Sequence, residues 1–163
     1  MTTVDFDYIR EYVREQAAIV IEPGKEYLVE SRLHTLARRE KMESPDQLVA
    51  RLRASPQSSE LHRKVVDAMT TNETSFFRDI HPFEGLKAHI LPALMKLRGV
   101  DCQLNVWCGA ASTGQEPYSV MMTIAENVPE LLKWNLKYIA TELCQDAMAR
   151  AKAGRFSQLE VNR

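Results

Sequence analysis

Residues 104–119 read LNVWCGAASTGQEPYS, and they decide the fold. Leu104 to Cys108 form a short apolar run with β-favouring side chains. The six residues that follow are small or turn-forming, and Pro117 stands where a helix begins. Val120, Met121, Ile124 and Ala125 then fit one face of a helix over about 117–127. A second β-type run, residues 137–141 (KYIAT), ends at Glu142. A further helix from about Cys144 to Ala153 meets its stop at Gly154. Strand, glycine-containing turn, helix and strand make a βαβ unit whose two strands should run parallel.

Upstream of this unit the hydrophobic period is helical throughout residues 1–98. Phe6, Ile9 and Val13 stripe a first helix, and Pro23-Gly24 is a turn. Val29, Leu33 and Leu36 repeat the stripe on a second helix from about Lys25 to Lys41, whose other face carries Arg32, Arg38, Arg39 and Lys41. Ser44-Pro45-Asp46-Gln47 combines a Ser cap, Pro at the first helical position and Gln three residues after the cap, so it starts a third helix. Leu61, Val65 and Met69 stripe a fourth. Asp79 can cap a fifth with Phe83, Leu86, Ile90 and Leu94 on its apolar face, and Pro92 should kink or break it. The expected organisation is a helical domain over 1–70, a joining segment over 71–99 and an α/β part over 100–163.

Composition narrows the function. The 163 residues carry 21 Lys+Arg against 22 Asp+Glu, a net charge of -1, and neither half is a basic slab, which argues against nucleic-acid binding. No apolar run approaches the ~18 residues of a membrane span. The charged N-terminal stretch MTTVDFDYIREYV does not have the form of a signal peptide. Cys102, Cys108 and Cys144 are odd in number and form no C-x-x-C, which argues against a disulfide framework and fits a reducing cytoplasm. The four histidines make no H-E-x-x-H, and no metal site is expected.

A turn after a first strand that also opens a helix is where open α/β sheets bind nucleotides. Gly109 and Gly114 have P-loop spacing, but the Lys that must reach phosphates is replaced by Gln115-Glu116. A dinucleotide fingerprint needs Gly where Ala111 stands. A nucleoside without phosphate, such as S-adenosylmethionine, needs a small-residue turn, an acid for ribose hydroxyls and an anion for an ammonium group. Glu142, at the end of the second strand, lies where a ribose acid belongs, and Glu116 can face an ammonium, although a helix N-terminus favours a carboxylate in any case. The bland alternative is a βαβ turn with no ligand. A second polar stretch, residues 70–79 (TTNETSFFRD), reads on residue types alone as a capped linker with Phe76 and Phe77 as anchors.

Taken together, TTNETSFFRD and WCGAASTGQEPYS, in this order and spacing, resemble the CheR family of chemotaxis-receptor methyltransferases. Tyr27-Leu28, Ser31-Arg32-Leu33, the IATE strand end and Ala151-Lys152-Ala153-Gly154 extend the resemblance over essentially the whole chain. It implies an α/β protein, with an all-α N-terminal domain followed by the first βαβ part of a Rossmann-like methyltransferase fold. It implies S-adenosylmethionine as cofactor and S-adenosylhomocysteine as product. The activity it implies is O-methylation of glutamate side chains on the cytoplasmic helices of chemoreceptors.

By position, the resemblance assigns Asn72, Thr74, Arg78, Glu116 and Glu142 to the cofactor, and Arg78 also to methyl transfer. Glu142 stands where the family usually has Asp, and Gln115 replaces a common Glu. Arg32, Arg38 and Arg39 fall on the helix that docks the receptor, and the partner implied is a chemoreceptor cytoplasmic domain. Family members continue further, with more strands around the first, so residues 100–163 are expected to be part of a sheet. The open strand edge is then a pairing surface for a second copy. A receptor- or regulator-binding module without catalysis is the alternative function.

Overall fold

The computed structural model describes residues 1–162. They divide into two compact units, Met1–Thr71 and the residues from Asn72 onward.

The first unit is all-helical. Helices α1 (Thr3–Ala17), α2 (Glu26–Arg39), α3 (Pro45–Ala54) and α4 (Glu60–Met69) surround one core. Two of the starts, those of α1 and α3, are capped by a side chain. Thr2 accepts the Asp5 N–H at the head of α1, and Ser44 accepts the Gln47 N–H at 3.2 Å with Pro45 at the first position of α3. The return arm of the α3 cap lands one residue earlier than the Ser-x-x-Gln pattern implies, because Gln47 Oε1 accepts from the Glu43 N–H at 3.1 Å. Ile9, Val13, Val29, Leu33, Leu48, Leu52 and Val65 are sealed from solvent. Truncating one of them, Leu33 for example, should cost about 2–5 kcal/mol. The fourth stripe differs from its sequence reading. Leu61 is half-buried, while His62, one residue on, is fully buried, bonded through Nδ1 to Ser59 Oγ at 2.9 Å and packed edge-on against Tyr12.

The second unit opens with α5 (Ile80–Gly85), capped by Asp79. A wider π-type stretch, Leu86–Ile90, leads into α6 (Leu91–Arg98) without interruption. Pro92 therefore does not break the helix, because the widened turn before it absorbs the missing donor. The inserted turn also rotates the apolar face. Ile90, expected inside, is 51% exposed, and Leu91 is buried in its place. Strand β1 (Gln103–Cys108) pairs in parallel with β2 (Asn135–Ala140), with Val106 opposite Tyr138 and Cys108 opposite Ala140. Helix α7 (Gln115–Asn127) and a 3-10 turn (Pro129–Lys133) cross between them, and α8 (Gln145–Ala153) and α9 (Gln158–Val161) follow. Leu91, Leu104, Ile124 and Leu131 form the core of this unit. On the opposite sheet face the paired Trp107 and Ile139 are exposed, and among the described residues no strand lies on the outer edge of β1. The fold is thus a helical domain followed by a short parallel sheet with its crossover helix.

Candidate active site

The turn between β1 and α7 owes its shape to its small residues. Ala110, Ser112 and Gly114 all adopt positive φ, at 54°, 51° and 102°. Small side chains lower the steric cost of such alternation over five positions. Gly114 has a second reason to be glycine: a Cβ there would stand 3.0 Å from the Ala151 backbone of α8. Main-chain bonds lock the turn to β2. The Ala111 N–H donates to Thr141 O, and the Thr141 N–H donates to Cys108 O, both at 2.9 Å. Inside the turn, buried Gln115 accepts from Thr113 Oγ1 at 2.7 Å.

The two acids flank this turn and are held differently. Both Glu142 oxygens accept backbone N–H groups, from Ser112 at 2.7 Å and from Cys144 at 2.9 Å. The carboxylate therefore ties the turn to the start of α8. A carboxylate has about four lone-pair sites, so acceptor capacity remains for hydroxyl donors. Glu116 lies in the first turn of α7 and is exposed, while its Oε1 accepts from the buried Cys108 thiol at 3.2 Å. Burial and the adjacent carboxylate push the Cys108 thiol up to about 11, so it stays protonated as a donor.

The stretch Asn72–Arg78 is stitched onto the same turn. Ser112 Oγ donates to Asn72 O at 2.8 Å, and the Phe77 N–H donates to Ser119 Oγ at 3.0 Å. Phe76 packs edge-on against Phe156, which packs in the same way on Tyr118 of α7. Arg78 is exposed and closes back on the Glu73 carbonyl at 2.6 Å. The structure therefore brings Asn72, Glu142 and the turn together at Ser112, sets Glu116 at the head of α7, and places Thr74 and Arg78 on the stitched segment. Sequence reasoning missed Ser112, Ser119 and Cys108 as the residues that organise this meeting. The small-residue run contained Ser112, but its positive φ carries no composition signal.

The basic residues of α2 part company. Arg32 is half-buried and donates to Met69 O, Thr70 O and Thr71 Oγ1, capping the last carbonyls of α4. Arg38 and Arg39 are exposed with His34 along a shallow concavity of α2.

Two family models match the chain. Residues 4–70 match the CheR methyltransferase all-alpha domain, and residues 72–163 match the CheR methyltransferase S-adenosylmethionine-binding domain. The chain belongs to the CheR methyltransferase family. It is 41% identical over 163 residues to chemotaxis protein methyltransferase 1 of Pseudomonas aeruginosa, covering 98% of this chain and 58% of that protein. It is 37% identical to chemotaxis protein methyltransferase Cher2 of Pseudomonas putida, with 98% and 58% covered. Against the chemotaxis protein methyltransferase of Salmonella typhimurium the identity is 29%, covering 99% of this chain and 54% of the relative. The chain thus spans somewhat over half the length of the curated relatives it matches.

The residues present fit the cofactor of this domain. Gly109 to Gly114 hold no basic side chain for a phosphate, and the charged side chains that flank the turn, Glu116 and Glu142, are carboxylates. The acids are anchored with lone pairs to spare, which suits hydroxyls and an ammonium group. At Gly109 a Cβ would meet only the Trp107 ring at 3.8 Å, so the strand end is open to close approach. Among the described residues no cluster of His, Cys, Asp or Glu could hold a metal, and no helix is long and apolar enough to cross a membrane.

Proposed function

We propose that the protein transfers a methyl group from S-adenosylmethionine to glutamate side chains on the cytoplasmic helices of chemoreceptors. The observation that carries this reading is the junction at Ser112, where one residue engages both Glu142 and the Asn72 carbonyl. That junction joins the two stretches whose sequences carry the family resemblance. The relatives named above support it through their names, which speak of chemotaxis and methyl transfer.

When bound, the cofactor supplies an electrophilic methyl on a sulfonium. This chain's residues bind and orient. Glu142 takes the ribose hydroxyls with its remaining lone pairs, Glu116 meets the ammonium, and Asn72, whose carbonyl is held by Ser112, and Thr74 on the same stretch complete the cofactor contacts. The nucleophile is a substrate carboxylate, with an ordinary pKa near ~4.3, so it arrives ionised and no general base is needed. Neither stretch contains a histidine, in keeping with that requirement. The protein's task is then alignment and exclusion of water. Arg78 turns one guanidinium nitrogen back to Glu73 O, and its remaining donors steer the incoming carboxylate. Arg38 and Arg39 draw the acidic receptor helix to α2, while Arg32 holds α4 and acts on docking only through that support.

The test is transfer of labelled methyl from S-adenosylmethionine to a receptor cytoplasmic fragment by the intact protein that carries this chain. Base-labile label that disappears when the receptor glutamates are changed to alanine is the expected result. Arg78→Ala should largely abolish transfer. Tight S-adenosylhomocysteine binding without any transfer would instead mark a binding module.

A further inference from the structure

One polar contact ties the end of β1 directly to the head of α7. Cys108 is the last residue of β1, opposite Ala140, and is 7% exposed. Its side chain reaches the first turn of α7, where the thiol donates to Glu116 Oε1 at 3.2 Å. Tyr138, two residues before Ala140 on β2, carries near the same sulfur a buried hydroxyl with no hydrogen-bond partner. An exposed glutamate in the first helical turn ordinarily samples many rotamers, and fixing it costs up to ~2 kcal/mol of side-chain entropy. Here one oxygen is tethered to a buried donor although the residue as a whole is exposed.

We infer that Cys108 is a positioning residue: its thiol presets the Glu116 carboxylate to receive the amino group of the cofactor's amino-acid part. This rests on the reading of the turn as the S-adenosylmethionine site. The physical gain is preorganisation, since the ligand meets a carboxylate already fixed in direction. The donor stays protonated across the physiological range because the thiol lies well above its ordinary value. Cysteine is suited to the position. Sulfur's longer bonds span from strand end to helix start, and a weak donor holds Glu116 without using up the charge the ammonium needs.

The test is titration calorimetry on the intact protein with two probes. S-adenosylhomocysteine carries the amino acid, and 5′-methylthioadenosine keeps the nucleoside and lacks it. Cys108→Ala should weaken S-adenosylhomocysteine about five- to ten-fold, the effect of losing a single ordinary hydrogen bond, since a thiol is a weak donor even to a carboxylate. It should leave methylthioadenosine within about two-fold. Cys108→Ser, which keeps a donor, should recover most of the loss and also serves if the alanine variant does not fold. In a Glu116→Gln background, Cys108→Ala should add little. Equal weakening of both probes by Cys108→Ala, or additive loss in the double variant, overturns the positioning role in favour of plain packing. Unchanged binding by Cys108→Ala while Glu116→Gln loses affinity overturns the inference alone. A wild-type protein that binds neither probe overturns the proposed site together with it.

Discussion

Gly114→Ala tests the geometry of the turn in isolation from any ligand. At φ 102° a side chain is disfavoured whatever surrounds it, at about 1–2 kcal/mol. The added methyl would also stand 3.0 Å from Ala151 Cα and Cβ and 3.3 Å from the Tyr118 ring. The Ala151 atoms belong to α8 and cannot swing aside as a flexible side chain would. Forced overpacking of this kind costs about 1–3 kcal/mol. Together the loss should be about 2–5 kcal/mol. Gly109→Ala is the internal control, because its φ is not positive and its methyl would meet only the Trp107 ring at 3.8 Å. That change should fall within about 1 kcal/mol of neutral. Urea unfolding of the two variants, compared at fixed m-value, reads the difference directly. If Gly114→Ala unfolds within about 0.5 kcal/mol of wild type, α8 does not press on the turn as described and the reasoning fails.

The other predictions concern charge. Glu142→Gln removes the anion that both the Ser112 and Cys144 N–H groups address, and should weaken S-adenosylhomocysteine binding measured by calorimetry by about ten-fold or more. Buried His62 is held neutral, with its pKa lowered by desolvation. The unfolded chain therefore binds the extra proton first, so stability should be flat above about pH 6.5 and fall below it by at most ~1.4 kcal/mol per pH unit. Urea midpoints between pH 7.5 and 5.5 should show this slope, and His62→Gln should flatten it. Reversing the charge of Arg38 and Arg39 together should raise the KM for a receptor fragment about three- to ten-fold at low salt, with kcat unchanged and a shallower salt dependence. Indifferent kinetics would remove the docking role of α2.

Much of this architecture was legible because each element states its own rule. Ser44-Pro45 announces a helix start, Gly154 a stop, and LNVWC followed by small residues a strand feeding a turn. What misled was phase. The π-type turn at Leu86–Ile90 inserts a residue's worth of rotation that no 3.6-residue count detects, so Ile90 and Leu91 exchange places. His62 escaped because an apolar stripe reads Leu61, whereas the buried ring is satisfied by Ser59. Arg32 shared a helix and a charge with Arg38 and Arg39, and only tertiary contacts reveal that it serves the end of α4. At the turn, residue types pointed to a ligand class, but the clasp made by Ser112 and Glu142 joins residues 30 apart in sequence. No local pattern records such a contact.

A structure of the intact protein with S-adenosylhomocysteine tests the central claim most directly. The nucleoside should lie against residues 109–114, with its ribose hydroxyls on Glu142, its amino group on Glu116 and the Cys108 contact retained. Ligand bound away from the turn, or a phosphate compound taken up there in preference, would contradict it.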